Sequence, residues 1–285
     1  MLFSLAVILS FLPLRILYLL ADLTYVILYH IVGYRRNVVQ ENLRQSFPFK
    51  DDKELHHIEK KYYRHLADLL AEGIYNLRAS KKKIVKHYKI VNKELVNRYF
   101  EKGQSVILMS AHYNNWEYMI TSLELQLKHH AIGVGKNLKN EKFGIRLDRK
   151  RTRFGTEIVT SENVRDVMEY YDRYKVPVAY MMLCDQAPNS AKRCYWTKFL
   201  GQETAFIYGG EYFARKYNYP VLYYTVNKVK RGYYEVIVSE LCPKPQQVEQ
   251  YSIVQAYAYR LEQDIKNAPQ YWLWSHRRWK QKREE

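Results

Sequence analysis

A histidine followed five residues later by a glutamate, His112 and Glu117, is the pair in this sequence best suited to moving a proton. A neutral imidazole can take the proton from an attacking hydroxyl. A carboxylate behind it can fix the ring's tautomer and stabilise the imidazolium, as in the serine-protease triad. The hydroxyl would then belong to a substrate, and no protein nucleophile is needed. The surrounding residues, SVILMSAHYNNWEY (105–118), place the pair well. An apolar strand ends at Ser110, His112 follows, and a helix opens near Asn114. Ligands in open α/β sheets gather beyond the carboxyl ends of strands. Glu117 falls one turn into the helix, within reach of the far ring nitrogen. The spacing alone is weak, because nine histidines, each with about a one-in-ten chance of an acid five residues on, give roughly one such pair by accident. Glu117 also has a plain alternative, as the N3 residue of a capping box whose N-cap is Asn114. His112 could equally be a satisfied loop histidine.

Other candidate groups have two readings each. Arg146, Arg149, Lys150, Arg151 and Arg153 crowd one helix end before Gly155. They are either a solvated basic face or a clamp on acceptor phosphates or an acidic carrier. Asp185 follows a strand ending at Leu183, a site-like place, or caps a turn before Pro188. Arg277 and Arg278 are candidates for shaping a substrate site, whereas Lys280, Lys282 and Arg283 read as an exposed tail. Trp272, Trp274 and Trp279 read as packing or interface anchors. His56, His57, His129 and His130 have no ligand-like company. The three cysteines, Cys184, Cys194 and Cys242, form no C-x-x-C. No metal and no cofactor is expected, and the thiols read as reduced in a cytoplasmic setting.

The elements that must position these groups follow from periodicity. Residues 37–46 and 51–77 read as helices, the second carrying Leu55, Ile58, Tyr62, Leu66, Leu69 and Leu77 near helical spacing. Apolar runs at 105–110, 131–135, 157–160 and 176–183 read as strands, with helices at 115–127, 141–153 and 163–174 between them. Such alternation predicts an α/β fold with a largely parallel sheet. Residues 219–230 and 233–240 flank Arg231-Gly232 and predict a hairpin at the sheet edge. A last helix is expected from about 248 to 265. With no repeat, linker or low-complexity tract, residues 35–285 are expected to form a single α/β domain.

Residues 1–34 differ from the rest. They are almost wholly apolar, but Pro13, Arg15 and Asp22 interrupt them. A signal peptide is excluded, since Arg15 lies mid-run and no small-residue cleavage site follows. A central Asp costs roughly 2.5–3.5 kcal/mol in a span. A helix lying in the interface, with Arg35 and Arg36 as a cytoplasmic flank, is therefore favoured over a buried core helix. The net charge of +17 calls for an acidic partner, which could be nucleic acid, an anionic membrane surface or an acidic carrier protein. The rival to an enzyme is a basic nucleic-acid-binding protein, but no helix-turn-helix, finger or aromatic-studded sheet motif appears.

AHYNNWEY resembles the H-x-x-x-x-[DE] motif of the lysophospholipid acyltransferase superfamily, and more narrowly the late acyltransferases of lipid A biosynthesis. Four further stretches agree in order: NVVQENLRQSFP (37–48), the Asp185-Gln186 pair, WTKFLGQETAFIYGGEYFARK (196–216) and APQYWLWSHRRWK (268–280). The resemblance covers nearly the whole chain, with the last block the most specific. It implies a glycerol-phosphate-acyltransferase-like fold and transfer of a fatty acyl chain from an acyl thioester, carried by acyl carrier protein, to a hydroxyl of a lipid A precursor. It further implies His112 as general base with Glu117 orienting it, at the cytoplasmic face of a Gram-negative inner membrane. Another membrane lipid, lyso- or amino-, is the alternative acceptor, and acyl-CoA the alternative donor. Two departures bear on the acceptor. Asn114 replaces a usual glycine, and Phe206 stands where small or hydroxyl residues are common.

Overall fold

A computed structural model of the chain describes residues 2–136, 138, 140–190 and 194–283. The apolar amino terminus is not one helix. It forms α1 (Leu2–Leu9) and α2 (Leu14–Val26), the latter running on through a π-helical turn, Ile27–Ile31. Pro13 separates them because it lacks an N–H and disfavours helix at the residue before it. Leu14–Ile31 is long and apolar enough to cross a membrane by length and composition.

Two long helices follow, α3 (Arg36–Ser46) and α4 (Asp52–Asn76). The reciprocal bonds of Asp51 and Glu54 start α4 with a capping box. Then come α5 (Lys81–His87), β1 (Tyr88–Ile90), α6 (Glu94–Glu101) and β2 (Val106–Ser110). Next are α7 (Trp116–Gln126), β3 (His130–Gly135), α8 (Glu141–Arg151), β4 (Glu157–Thr160), α9 (Val164–Arg173) and β5 (Val178–Leu183). A separate two-stranded hairpin, β6 (Tyr195–Phe199) and β7 (Gln202–Phe206), precedes α10 (Gly209–Tyr217). The chain ends with β8 (Val221–Lys230), β9 (Tyr233–Cys242) and α11 (Ser252–Asn267).

The main sheet has the order β1-β9-β8-β2-β5-β3-β4. From β8 to β4 all strands are parallel, whereas β9 is antiparallel to β8 and carries β1 alongside it. The fold is therefore the expected mixed, largely parallel sheet flanked by helices. Every residue of β2 and all but the last of β5 are buried, as in central strands covered on both faces.

Two expectations need correction, and some elements lie outside what periodicity predicts. The β8–β9 hairpin does not form the sheet edge, because the three-residue β1, too short to leave a periodicity signal, pairs outside β9. The last helix begins at Ser252, since Tyr251 adopts a left-handed backbone (φ 70°) after a short turn at Pro245–Gln247. The β6–β7 hairpin, α5 and α6 were not foreseen.

The inner face of α2, with Leu17, Ala21 and Tyr25, is buried, and Tyr29 continues it. Its outer face leaves Ile16, Leu19, Leu23 and Val26 exposed. Asp22, the residue that disfavours a span, is used laterally: it pairs with Arg231 at 2.6 Å, which also reaches Asp68. Gly232 (φ 79°) is required at the hairpin tip, because a Cβ there would overlap the Tyr18 hydroxyl of α2.

Candidate active site

Strand register brings the central pair together. Ser110 at the end of β2 is the partner of Leu183 at the end of β5. Two residues beyond each, His112 and Asp185 meet. The chain leaves β2 toward β3 on one side and leaves β5 toward β8 on the other, so this is also where the connections diverge.

The His112 Nδ1–H donates to Asp185 Oδ1 at 2.8 Å, and the His112 main-chain N–H donates to Oδ2 at 3.0 Å. Trp272 Nε1 donates to the same Oδ2 at 2.9 Å. Asp185 is only 3% exposed. Burial pulls its pKa upward, but electrostatic attraction to His112 and these donated bonds outweigh that and hold the carboxyl below its ordinary value. Facing an ionised carboxylate, Nδ1 carries the proton and Nε2 keeps its lone pair. The Gln186 amide nitrogen lies 3.2 Å from that lone pair. Trp116 presses edge-on to the ring, centroids 5.2 Å apart.

Among the described residues Glu117 makes no hydrogen bond to His112, contrary to expectation. Its two oxygens accept Arg151 Nε at 2.8 Å and Nη2 at 2.6 Å, a bidentate pair. The N-cap of α7 is Asn115, whose Oδ1 accepts from Tyr118 N, so Glu117 is at N2 and the capping box expected from Asn114 is absent. Asn114 instead adopts φ 53°, a left-handed conformation that glycine and, among other residues, asparagine tolerate. That accounts for Asn114 where the resembled family has glycine. Its side chain donates to Val226 O at 2.6 Å.

The basic cluster separates into three kinds. Arg151 is held between Glu117 and Asp148. Burial lowers its pKa less than those two carboxylates raise it, so the net shift is upward. Arg153 donates to Asn76 O at 2.6 Å, Ala79 O at 2.9 Å and the Lys150 carbonyl, and lies over the Phe154 ring. Burial pushes its pKa down to about 10. This is a structural clamp. Arg146 and Arg149 are exposed and make no ion pair among the described residues. Arg277 is exposed, while Arg278 is 1% exposed.

An apolar cavity of about 280 Å³ opens beside the site. Phe3 and Ala6 of α1, Leu66 and Leu70 of α4, and Phe143 and Leu147 of α8 wall it, with Trp116, Glu117 and Arg151 on the His112 side. The C-terminal block closes the floor. Leu273 N–H donates to His112 O at 3.1 Å, and Ala187 N–H donates to His276 Nε2 at 3.1 Å. Burial pushes the His276 pKa down to about 4. Phe206 is fully buried and carries the Arg278 guanidinium 4.5 Å above its ring. No group of three or more metal-ligating side chains occurs among the described residues, and none of the three cysteines is in a disulfide.

Sequence reasoning missed Trp272 as a donor to Asp185, Trp116 as the ring between His112 and the cavity, and Gln186 as the neighbour of His112 Nε2. Their position just after strand ends was the available signal for Gln186 and Trp116. Trp272 had none, since only tertiary packing brings the C-terminal block across the sheet.

A family model described as bacterial lipid A biosynthesis acyltransferase matches residues 2–281. No curated protein matches the chain.

Proposed function

The chain belongs to the bacterial lipid A biosynthesis acyltransferase family, and on that premise we propose that His112 is the general base of the acyl transfer, oriented by Asp185. The observation that carries this is the 2.8 Å Nδ1–Oδ1 bond at the carboxyl ends of two paired central strands. The acceptor is a hydroxyl of a lipid A precursor, and the donor an acyl thioester of acyl carrier protein.

The hydroxyl displaces the Gln186 amide from Nε2 and gives its proton to that nitrogen as its oxygen attacks the thioester carbonyl. Asp185 stabilises the resulting imidazolium without taking the proton. Collapse of the tetrahedral intermediate breaks the C–S bond, and His112 returns the proton to the departing thiolate. The new ester and the free thiol leave. The acyl chain lies in the cavity walled by α1, α4 and α8, whose lining surface is mostly apolar and whose mouth we place at Arg151. Glu117 acts at one remove, by fixing Arg151 at that mouth. Three of the guanidinium's five N–H groups are occupied by Glu117 and Asp148, which leaves donors for charge developing on the carbonyl oxygen.

The exposed outer face of α2 rests on the inner-membrane surface from the cytoplasmic side, with residues 1–34 as the membrane-associating segment of a domain spanning 35–285. The basic surface favours both anionic lipid and an acidic carrier. The direct test is single-turnover acyl transfer by the full chain with a lipid A precursor and acylated carrier protein. His112→Ala is expected to lose at least about 100-fold in rate. Near-normal turnover by a folded His112→Ala protein refutes the base assignment.

A further inference from the structure

Arg278 is 1% exposed, and none of its three guanidinium nitrogens has a hydrogen-bond partner among the described residues. The Asp185 oxygens already receive His112 Nδ1, His112 N and Trp272 Nε1. The Tyr257 hydroxyl is bound to Ser110 O at 2.8 Å, and His276 Nε2 is taken by Ala187 N–H. What remains beneath the guanidinium is the Phe206 ring, whose face offsets only part of the lost hydration. Burial pushes the group's pKa down to about 10 against the attraction of the Asp185 carboxylate, which still leaves it charged near neutrality. A protein gains little stability from a buried cation without hydrogen-bonded partners, and an apolar side chain of similar volume would serve packing better.

We propose that Arg278 is an anion-binding residue that receives a phosphate group of a substrate on the Asp185 side of His112, away from the acyl cavity beyond Trp116. This rests on the acyl-transfer reading above. Five N–H donors in a planar fork suit two oxygens of one tetrahedral anion, which no neighbouring side chain supplies. The phosphate has two possible sources with the same chemistry, the acceptor glycolipid and the phosphodiester of a pantetheine-bearing donor. Phe206 belongs to the same device. A ring at this position carries the fork flat in the absence of ligand, where a small or hydroxyl residue would leave it loose.

The experiment uses the full chain in detergent micelles. In phosphate-free buffer, Arg278→Met is expected to melt about 2–4 °C above wild type, because it removes an unpaired charge at similar volume. Inorganic phosphate should raise the wild-type melting temperature and leave Arg278→Met unmoved, while the exposed-tail control Arg283→Met follows wild type. In turnover, Arg278→Met and Arg278→Lys should raise the apparent KM for one phosphate-bearing substrate by about 10- to 100-fold. That penalty should vanish when the same substrate lacks its phosphate. Dephosphorylating the acceptor or substituting an acyl-pantetheine for the acyl-phosphopantetheine donor identifies the source. A lowered melting temperature for Arg278→Met overturns the proposal, as the cation then has a structural partner. So does a penalty that persists with both dephosphorylated substrates, or a phosphate effect on melting with no change in KM, which marks an adventitious ion only. The melting arms need no turnover, so a failure of the acyl-transfer reading is seen separately, in an inactive wild type.

Discussion

Replacing Asp185 by Asn keeps the side chain's shape and removes only its charge and one acceptor. In wild type three donors converge on two oxygens, at 2.8, 3.0 and 2.9 Å. The asparagine oxygen can keep the His112 main-chain N–H and Trp272 Nε1, which both come to Oδ2. The amide NH2 then faces His112 Nδ1 where Oδ1 stood. Two N–H groups cannot share that contact, so the ring proton moves to Nε2 and the base loses its lone pair on the substrate side. A wrong-tautomer imidazole in a serine protease costs about 10⁴-fold, or roughly 5 kcal/mol of barrier, and a loss of about 10³- to 10⁴-fold is expected here. Stability should change little, because two of the three bonds survive. The assay is single-turnover acyl transfer beside a melting curve and ¹⁵N shifts of the labelled imidazole, which report the tautomer. An Asp185→Asn protein that melts normally, shows the Nε2–H tautomer and retains more than about a tenth of the activity would refute the reasoning. So would a Glu117→Gln variant that switches the tautomer while Asp185→Asn does not.

Three other perturbations separate roles within the site. Arg153→Met should cost about 1.5–3 kcal/mol of stability, since three carbonyls lose a charged donor, yet leave activity per folded molecule near wild type; an intact melting temperature would contradict the clamp. His276 has a folded pKa of about 4 against an ordinary 6.5, so the unfolded chain binds more protons between those values. The stability it contributes is present above pH 6.5 and is lost as the pH falls toward 4, so denaturant midpoints should drop across that window and His276→Gln should flatten the drop. Ala6→Phe adds bulk to the cavity wall and should shift the preferred acyl donor to a shorter chain, as measured by competition between donors; an unchanged preference would move the acyl chain elsewhere.

Much of this was legible in the residues. The strands and helices between residues 105 and 183 lie within two positions of where periodicity puts them, because buried parallel strands and amphipathic helices leave strong local patterns. The same reading placed both His112 and Asp185 just past strand ends. It chose the wrong partner for the histidine because a five-residue spacing is visible along the chain, whereas the pairing of β2 with β5 is not. Glu117 is close in sequence, but Arg151, reached only when α8 packs against α7, takes both its oxygens. The left-handed backbone at Asn114 moved the helix start by one residue and removed the capping box. Arg278 is a candidate from the sequence, but its burial is not legible there, for a similar reason. In HRRWK nothing distinguishes it from its exposed neighbour Arg277, and it is packing against Phe206 of the β6–β7 hairpin that makes it an interior residue.

The contact between α2 and the β8–β9 hairpin bears on how such a molecule meets a bilayer. Tyr18 fills the space left by Gly232, its hydroxyl donates to buried Glu72, and Asp22 grips Arg231. The apolar segment is thus bolted to the catalytic body along its length, a keel rather than a tether. A keel fixes attitude: were its outer ridge to sit in lipid, as proposed above, the body could not roll, and the cavity walled by α1 would stay at one height above the leaflet. Substrates drawn from the membrane would then reach His112 by sliding sideways along a surface, with no tumbling search through water.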